Sequence, residues 1–143
     1  MKKFSVLLVA AAAIMFFSMQ EASATSAMGN LLIQLETSVK YSAQSSNWRS
    51  RRSGWIRRVR SCSNVSCMKA LIREFETNIK YSAQSSSWRS RRSSWLRTVN
   101  QARTQGQLAR TLLAVESSIK YSAQSSSWRS RRSSWRASVS RLR

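Results

Sequence analysis

Apolar residues recur along the chain in two alternating patterns, and the first pattern predicts a helix. Met28, Leu32, Leu35 and Val39 are separated by four, three and four positions. This spacing places them on one face of an amphipathic α-helix. The same steps return twice, each time 40 residues further on, at Met68, Ile72, Phe75, Ile79 and at Leu108, Leu112, Val115, Ile119. The identities change among apolar types while the positions hold, which indicates packing in a core.

The second pattern is carried by aromatic residues and predicts a second helix. Its positions are spaced seven, seven and four: Tyr41, Trp48, Trp55, Val59, then Tyr81, Trp88, Trp95, Val99, then Tyr121, Trp128, Trp135, Val139. In one straight helix Trp48 would lie about 200° round from Met28. The Ser-rich segment before each first Trp favours a turn instead, because Ser competes with helix interiors. We therefore expect helix–turn–helix units.

Both patterns belong to a tandem repeat. Residues 40–55 read KYSAQSSNWRSRRSGW, and copies of this motif begin at Lys80 and Lys120. The chain divides into repeat 1 (25–64), repeat 2 (65–104) and repeat 3 (105–143). The predicted fold is all-α, with three helix–turn–helix repeats stacked into a small solenoid or an irregular bundle. One repeat buries too few apolar residues to be stable alone, so partial disorder is the alternative.

Helix N-caps are expected from the Ser and Gly positions. For the first helices they are Ser26, Ser66 and Gly106, and for the second helices they lie near Ser46, Ser86 and Ser126.

The first 24 residues differ in character from the rest. A charged start at Lys2 and Lys3, an apolar run over 4–17 and the small residues of 22–24 are typical of a secretory signal peptide. The apolar run is shorter than the ~20 residues that a membrane span needs. We expect residues 1–24 to be removed and the mature chain, from Thr25, to be secreted and extracellular. An uncleaved N-terminal anchor is the alternative.

The net charge of the chain indicates the class of partner that it binds. The whole chain carries 25 Lys and Arg against 5 Asp and Glu, a net charge of +20. Removing residues 1–24 takes away Lys2, Lys3 and Glu21, which leaves 23 basic and 4 acidic residues and a net charge of +19. This density implies a polyanionic partner: an anionic membrane, an acidic polymer or nucleic acid.

The composition leaves little scope for catalysis. The chain has no His and no Asp, which excludes Ser-His-Asp and Cys-His nucleophilic sites. Glu74 and Glu76 are two positions apart and do not face each other on a helix. We therefore expect no enzymatic activity, no cofactor or metal site and no small-molecule substrate. Cys62 and Cys67 are expected to form a disulfide across the first inter-repeat junction, with two free thiols as the alternative.

An Arg cluster lies between the two Trp of each motif copy and is the core of the predicted surface-binding site. Trp rings and Arg side chains suit a membrane–water boundary, and their pairing resembles that of cationic antimicrobial peptides. A membrane-active or antimicrobial function is the first hypothesis, with burial of the Trp in a core as the alternative. The predicted binding residues are Trp48, Arg49, Arg51, Arg52, Trp55, Trp88, Arg89, Arg91, Arg92, Trp95, Trp128, Arg129, Arg131, Arg132 and Trp135.

Other functions fit the same residues. An extracellular structural protein would use them to bind acidic polysaccharide, mineral or nucleic acid. The Arg-Ser-Arg-Arg-Ser segments resemble the arginine–serine tracts of RNA-processing proteins. Residues 49–52, 89–92 and 129–132 also resemble a furin-type convertase site, which predicts, as a further hypothesis, a precursor cut into repeat peptides.

Overall fold

The computed structural model describes residues 2–142, with side chains described from Met19 onwards. In this part the chain forms α1 (Lys2–Ser38), α2 (Trp48–Ser61), α3 (Val65–Thr77), α4 (Trp88–Gln101), α5 (Gln105–Ser118) and α6 (Trp128–Ser140). The prediction of an all-α fold with repeated helix pairs is confirmed. The predicted signal peptide falls largely on residues 1–18, whose side chains lie outside the described part. Among the described residues, no helix combines the length and apolarity needed to cross a membrane.

The same turn joins the two helices of each pair. It contains a short 3₁₀-helix: Tyr41–Ala43, Tyr81–Ala83 and Tyr121–Ala123. The second helix of each pair (α2, α4 and α6) begins at the first Trp of its motif. The expected break at the Ser-rich segment is therefore present. The N-caps of these helices are Asn47, Ser87 and Ser127, one residue after the predicted Ser46, Ser86 and Ser126.

The N-caps predicted for the first helices are wrong. α1 continues straight through Ser26. Asn64, and not Ser66, caps α3, because its side chain accepts a hydrogen bond from the Cys67 N–H at 3.0 Å. Thr104, and not Gly106, caps α5 in a capping box with Gln107. Asn64 and Thr104 have the extended backbone that an N-cap needs, whereas Ser66 and Gly106 already lie in the first helical turn.

The helices are arranged as a closed ring of three pairs. The inner helices α1, α3 and α5 pack against one another at the centre. Each outer helix packs against its own inner helix and the next one, so α2 lies between α1 and α3, and α4 lies between α3 and α5. α6 lies between α5 and α1, which brings the last pair back to the first. The bundle is therefore a ring and not an open solenoid.

Backbone hydrogen bonds link the three turns into the same cycle. One set joins an N–H of each turn to a carbonyl of the turn before it: Lys80 to Ala43 at 2.8 Å, Lys120 to Ala83 at 2.7 Å and Lys40 to Ala123 at 2.7 Å. A second set runs in the opposite direction: Ser45 to Asn78 at 2.9 Å, Ser85 to Ser118 at 2.7 Å and Ser125 to Ser38 at 2.7 Å. Each turn is therefore bonded to both neighbours.

The first apolar stripe and the Trp and Val positions of the second stripe meet in one continuous core between the inner and outer helices. The prediction that Tyr belongs to the second stripe is wrong, because Tyr41, Tyr81 and Tyr121 lie in the turns and are exposed. The positions of the first stripe are buried, from Met28 on α1 to Val115 on α5. The two Trp of each outer helix also pack against each other, with ring centroids 5.4, 5.6 and 5.4 Å apart in α2, α4 and α6. Truncation of a buried Trp to Ala costs about 3–5 kcal/mol, so these rings are major contributors to stability.

The first two inter-repeat junctions are closed in different ways. A disulfide joins Cys62 to Cys67 between α2 and α3, with the Cα atoms 5.9 Å apart, which confirms the predicted pair. At the equivalent place between α4 and α5, the side-chain oxygen of Gln107 accepts hydrogen bonds from the backbone of Arg103 and Thr104 at 2.6 and 3.2 Å. A covalent bond and a hydrogen-bonded cap thus fix equivalent connections.

Candidate functional site

The Trp of the predicted binding site lie in the core. Trp48, Trp88 and Trp128 are 1 to 2% exposed, and Trp55, Trp95 and Trp135 at most 5%. The indole N–H of each second Trp donates to a carbonyl of the next inner helix: Trp55 to Leu71 at 3.1 Å, Trp95 to Thr111 at 2.9 Å and Trp135 to Leu31 at 2.8 Å. The Trp are therefore core residues, as the alternative hypothesis stated, and not surface-binding residues. They attach each outer helix to the next inner helix.

A buried carboxylate collects the polar side chains of each motif. Glu76 is 1% exposed. Its oxygens accept hydrogen bonds from Gln84 and Trp88, both at 3.0 Å, and from Arg92 at 2.7 and 2.9 Å. Glu36 binds Gln44, Trp48 and Arg52 in the same way, and Glu116 binds Gln124, Trp128 and Arg132. Arg52, Arg92 and Arg132 of the predicted site are therefore structural ion-pair partners.

These hydrogen bonds keep the buried carboxyls of Glu76 and Glu116 ionised. Burial raises the pKa of the Glu76 carboxyl, but hydrogen bonds from Arg92, Gln84 and Trp88 together lower it more, so the net pKa lies below its ordinary value of 4.5. The pKa of the Glu116 carboxyl is lowered overall for the same reasons. The hydrogen bond to Glu76 in turn raises the pKa of the Arg92 guanidinium. The Glu76–Arg92 and Glu116–Arg132 pairs are consequently charged at neutral pH.

One exposed Arg of the predicted site in each unit is stacked on a Tyr ring. The guanidinium carbons of Arg49, Arg89 and Arg129 lie 3.1, 3.2 and 3.3 Å from the ring centroids of Tyr41, Tyr81 and Tyr121. These Tyr are 54, 52 and 54% exposed. Such cation–π contacts hold the planar guanidinium in one orientation. Arg51, Arg91 and Arg131 are also exposed and lie 5.6, 5.4 and 5.5 Å from the first Trp ring of their helix.

Three clefts open beside these Tyr–Arg pairs, at the end of the ring where the turns lie. The cleft of the second unit has a volume of about 730 Å³ and is lined by Tyr81, Ser82, Gln84, Ser86 and Arg89. The equivalent residues line a cleft in the first unit and another in the third. Each cleft also receives a Lys from the following unit: Lys80 in the first, Lys120 in the second and Lys40 in the third. The third cleft is thus completed by ring closure.

The four carboxylates between residues 25 and 143 are engaged by Arg side chains. Besides the three buried Glu, Glu74 pairs with Arg58 at 2.8 Å, and Arg136 makes a second ion pair with Glu116 at 2.9 Å. No other acid occurs between residue 25 and the end of the chain. In the described part of the chain, no group of three or more His, Cys, Asp or Glu side chains could hold a metal ion.

Two groups of residues at this site were not predicted from the sequence. The first is the set of buried carboxylates Glu36, Glu76 and Glu116. These residues are 40 positions apart in a chain with five acidic residues, and this spacing could have identified them. The second is the set of cleft residues Lys40, Tyr41, Ser42 and their copies. Their available signal was the KYSAQSS segment, which is identical in all three motifs.

Comparison with known proteins adds a family match over part of the chain. A domain of unknown function (DUF8799) matches residues 63–124, from the first junction through the second unit to the turn of the third. The match covers less than half of the chain. None of the curated proteins matches the chain, and none of the solved structures does.

Proposed function

We propose that this protein is a secreted, multivalent binder of acidic extracellular polymers. The observation that carries the proposal is the pairing of all four mature carboxylates with Arg. Three of these carboxylates are buried, so they add little negative potential at the surface. Most of the Lys and Arg in the described part of the chain are exposed, so the mature net charge of +19 lies mainly at the surface of a folded ring. Such a surface attracts polyanions at a distance and holds them through many contacts.

Several basic side chains are held in position before a partner binds. Arg89 is stacked on Tyr81, with the guanidinium carbon 3.2 Å from the ring centroid. Arg51 donates a hydrogen bond to the side-chain oxygen of Asn78 at 2.6 Å. Fixed groups lose less conformational freedom when they bind, so more of the interaction energy contributes to affinity. This favours a surface that binds polymers over one that only attracts counter-ions.

Membrane disruption has less support than polymer binding. Insertion of an interfacial helix depends on an exposed apolar face, commonly with Trp. Here the Trp are buried, and the exposed large hydrophobic side chains in the described part are Met19, Tyr41, Tyr81 and Tyr121. The three Tyr lie among Lys and Arg side chains, not on a continuous apolar face. Electrostatic attraction to an anionic bilayer remains, without an apolar anchor.

Cleavage into repeat peptides also has less support. Each Arg-Ser-Arg-Arg segment lies in the first turns of an outer helix. Its last Arg is tied to a buried carboxylate, at 2.7 Å in each unit. A convertase needs an extended segment, so cutting here requires the helix start to unfold first.

The alignment of the three repeats supports cleavage after Ala24, and therefore secretion. Cleavage after Ala24 starts the mature chain at Thr25, and the equivalent residues 40 and 80 positions later are Val65 and Gln105. These are the first residues of α3 and α5. The predicted cut therefore falls where an inner helix begins elsewhere in the ring. The Cys62–Cys67 disulfide is in keeping with an oxidising compartment.

The proposal is tested by measuring polymer binding as a function of salt. The oxidised mature chain is titrated with heparin, polygalacturonate and neutral dextran at increasing NaCl, and is separately mixed with dye-loaded anionic vesicles. We expect binding to both acidic polymers, with log affinity falling linearly with log salt as counter-ions are released. We expect no binding to dextran, unchanged Trp emission and no vesicle leakage.

Two results would contradict this function. One is the absence of binding to both acidic polymers at low salt. The other is vesicle leakage accompanied by a blue shift of the Trp emission, which would restore the membrane-active hypothesis.

A further inference from the structure

Each cleft at the turn end is rich in hydrogen-bond donors. In the second unit, the guanidinium of Arg89 and the hydroxyls of Ser82 and Ser86 line the cleft, and Lys120 lines it from the next unit. All four of these residues are exposed. The carboxylate that borders the cleft, Glu76, is buried and already paired with Arg92. A lining of cationic and hydroxyl donors around a neutralised acid suits an oxyanion, to which charge-assisted hydrogen bonds are strong.

The cleft also offers an aromatic surface. This surface is the half-exposed Tyr81, because Ile79 and Trp88, which border the cleft, are buried. A sugar ring has apolar C–H faces and a polar rim of hydroxyls, so the exposed side chains of Tyr81 and Ser82 can contact both. Base stacking on Tyr81 is less favoured, because the Arg89 guanidinium, 3.2 Å from the ring centroid, already covers one face.

We infer that each cleft binds one acidic sugar unit of a polysaccharide. The carboxylate or sulfate group lies between Arg89 and Lys120 in the second unit, and between the equivalent pairs in the other two. The inference rests on the proposed function and adds to it a defined site and ligand class. The cleft volumes of about 730, 340 and 780 Å³ are within the range of roughly 300–1,000 Å³ found for small-ligand sites.

Ring closure makes the chain trivalent. Each cleft is built on one of the three turns, and the turns are bonded to one another in a cycle, so the clefts open at the same end. A polysaccharide that occupies one cleft presents its next acidic units to the others at high effective concentration. Linked sites of this kind raise overall affinity by about 10²–10⁴ over a single site. Long chains therefore bind much more tightly than single sugar units.

Stoichiometry is the first test. The oxidised mature chain is titrated calorimetrically with N-acetylglucosamine 6-sulfate and, separately, with galacturonate, while neutral galactose serves as the control. We expect three acidic monosaccharides per chain and no binding of galactose. Arg89→Ala should lower the stoichiometry to two. The tighter of the two acidic ligands identifies sulfate or carboxylate as the recognised group.

Two charge-preserving variants distinguish binding in the clefts from general electrostatic attraction to the surface. In the cleft variant, Arg49, Arg89 and Arg129 are all replaced by Lys, which keeps the charge but removes the planar stacked fork. In the control, the exposed Arg57, Arg97 and Arg110 are replaced by Lys. We expect the cleft variant to bind heparin about tenfold more weakly, and the control to bind like the parent. Trp emission and far-ultraviolet circular dichroism verify that both are folded.

The outcomes distinguish this inference from the proposed function. Equal heparin affinity of the two Lys variants, or a monosaccharide stoichiometry other than three, overturns the cleft assignment while polymer binding stands. Failure of the parent chain to bind any acidic polymer overturns both.

Discussion

Glu76 accepts hydrogen bonds from three side chains of the second motif. A buried carboxylate loses its hydration, and this cost is offset only when good hydrogen bonds replace the lost water. Gln84, Trp88 and Arg92 supply those bonds from positions 8, 12 and 16 residues along the chain. One carboxylate thereby fixes the turn, the start of the outer helix and its second turn relative to α3.

Replacement of Glu76 by Gln should lower stability and flatten its dependence on pH. The folded-state pKa of this carboxyl is below its ordinary 4.5, so its stabilisation is present above about pH 4.5 and is lost as pH falls through the folded pKa. We expect Glu76→Gln to cost about 2 kcal/mol at neutral pH, less than for a fully buried pair because Arg92 is 39% exposed. Urea denaturation between about pH 7 and pH 3 measures both effects.

Glu74→Gln is the matched control for that variant. The Glu74 side chain is 23% exposed and its partner Arg58 is 55% exposed, so the loss should be small. A Glu76→Gln protein with the same acid sensitivity as the parent would contradict the assigned role.

The Arg of the site were identified from the sequence, but their partners were not. The motif placed Arg52 in the Arg cluster between the two Trp, and in the structure Arg52 pairs with Glu36. Its partner Glu36 lies on another helix across a turn, and helical periodicity does not extend through a turn. The Tyr–Arg stacks were missed for the same reason, because Tyr41 belongs to the turn and Arg49 to α2.

The helices themselves were predictable because each has a clear apolar face. The first stripe marked the inner helices, the second marked the outer helices, and the Ser-rich segment marked the break between them. The caps were less predictable, since more than one candidate cap residue lies near a helix start, such as Ser63, Asn64 and Ser66 at α3 and Thr104 and Gly106 at α5. Backbone conformation decides among such candidates, and Asn64 and Thr104 are the residues with extended backbone.

α1 should tolerate removal of everything before Thr25. The equivalent helices α3 and α5 begin at Val65 and Gln105, and the Thr25 hydroxyl accepts a hydrogen bond from Gln105 at 2.6 Å that the cut leaves in place. Met19 is 70% exposed, so residues just before the cut add little packing. We expect protein from the medium of a secreting host to have the mass of residues 25–143 and the unfolding midpoint of the full chain.

A mass that includes residues before Thr25 would contradict cleavage at this position. A lower unfolding midpoint of the 25–143 chain would contradict the equivalence of α1 with α3 and α5.

Closure of the ring could not be predicted from the hydrophobic pattern. The pattern specifies which faces are buried, whereas closure depends on the rotation from one unit to the next. Units of the same composition can stack in an open superhelix. One indirect sign was available: an open stack needs polar capping repeats at its ends, and the second and third motifs here are identical.

A circular permutant should fold like the parent. We consider a chain that starts at Thr104, joins Arg143 to Thr25 by a short Gly-Ser linker and ends at Arg103. It keeps the disulfide, the Thr104 cap and the three turn-to-turn links, because α6 already packs on α1. We expect the same near-ultraviolet circular dichroism and a free energy of unfolding within about 2 kcal/mol of the parent.

Deletion of the third unit is the contrasting variant. Residues 25–103 alone lack α5 and α6, so the Trp95 N–H loses its acceptor on Thr111 and α1 loses the contact from Trp135. This chain should not show a cooperative unfolding transition. A permutant that fails to fold, or a two-unit chain that folds as well as the parent, would show that ring closure does not contribute to stability.

Bonding of every turn to both neighbours also restricts how the gene can grow. In an open stack, duplication of one repeat lengthens the protein and leaves the existing interfaces intact. Here a fourth 40-residue unit would have to break the backbone bonds between two neighbouring turns and change the rotation per unit from a third of a circle to a quarter. Four inner helices would then surround a hollow axis. Copy number is therefore confined to three, and sequence exchange between units can vary the surface without altering the architecture.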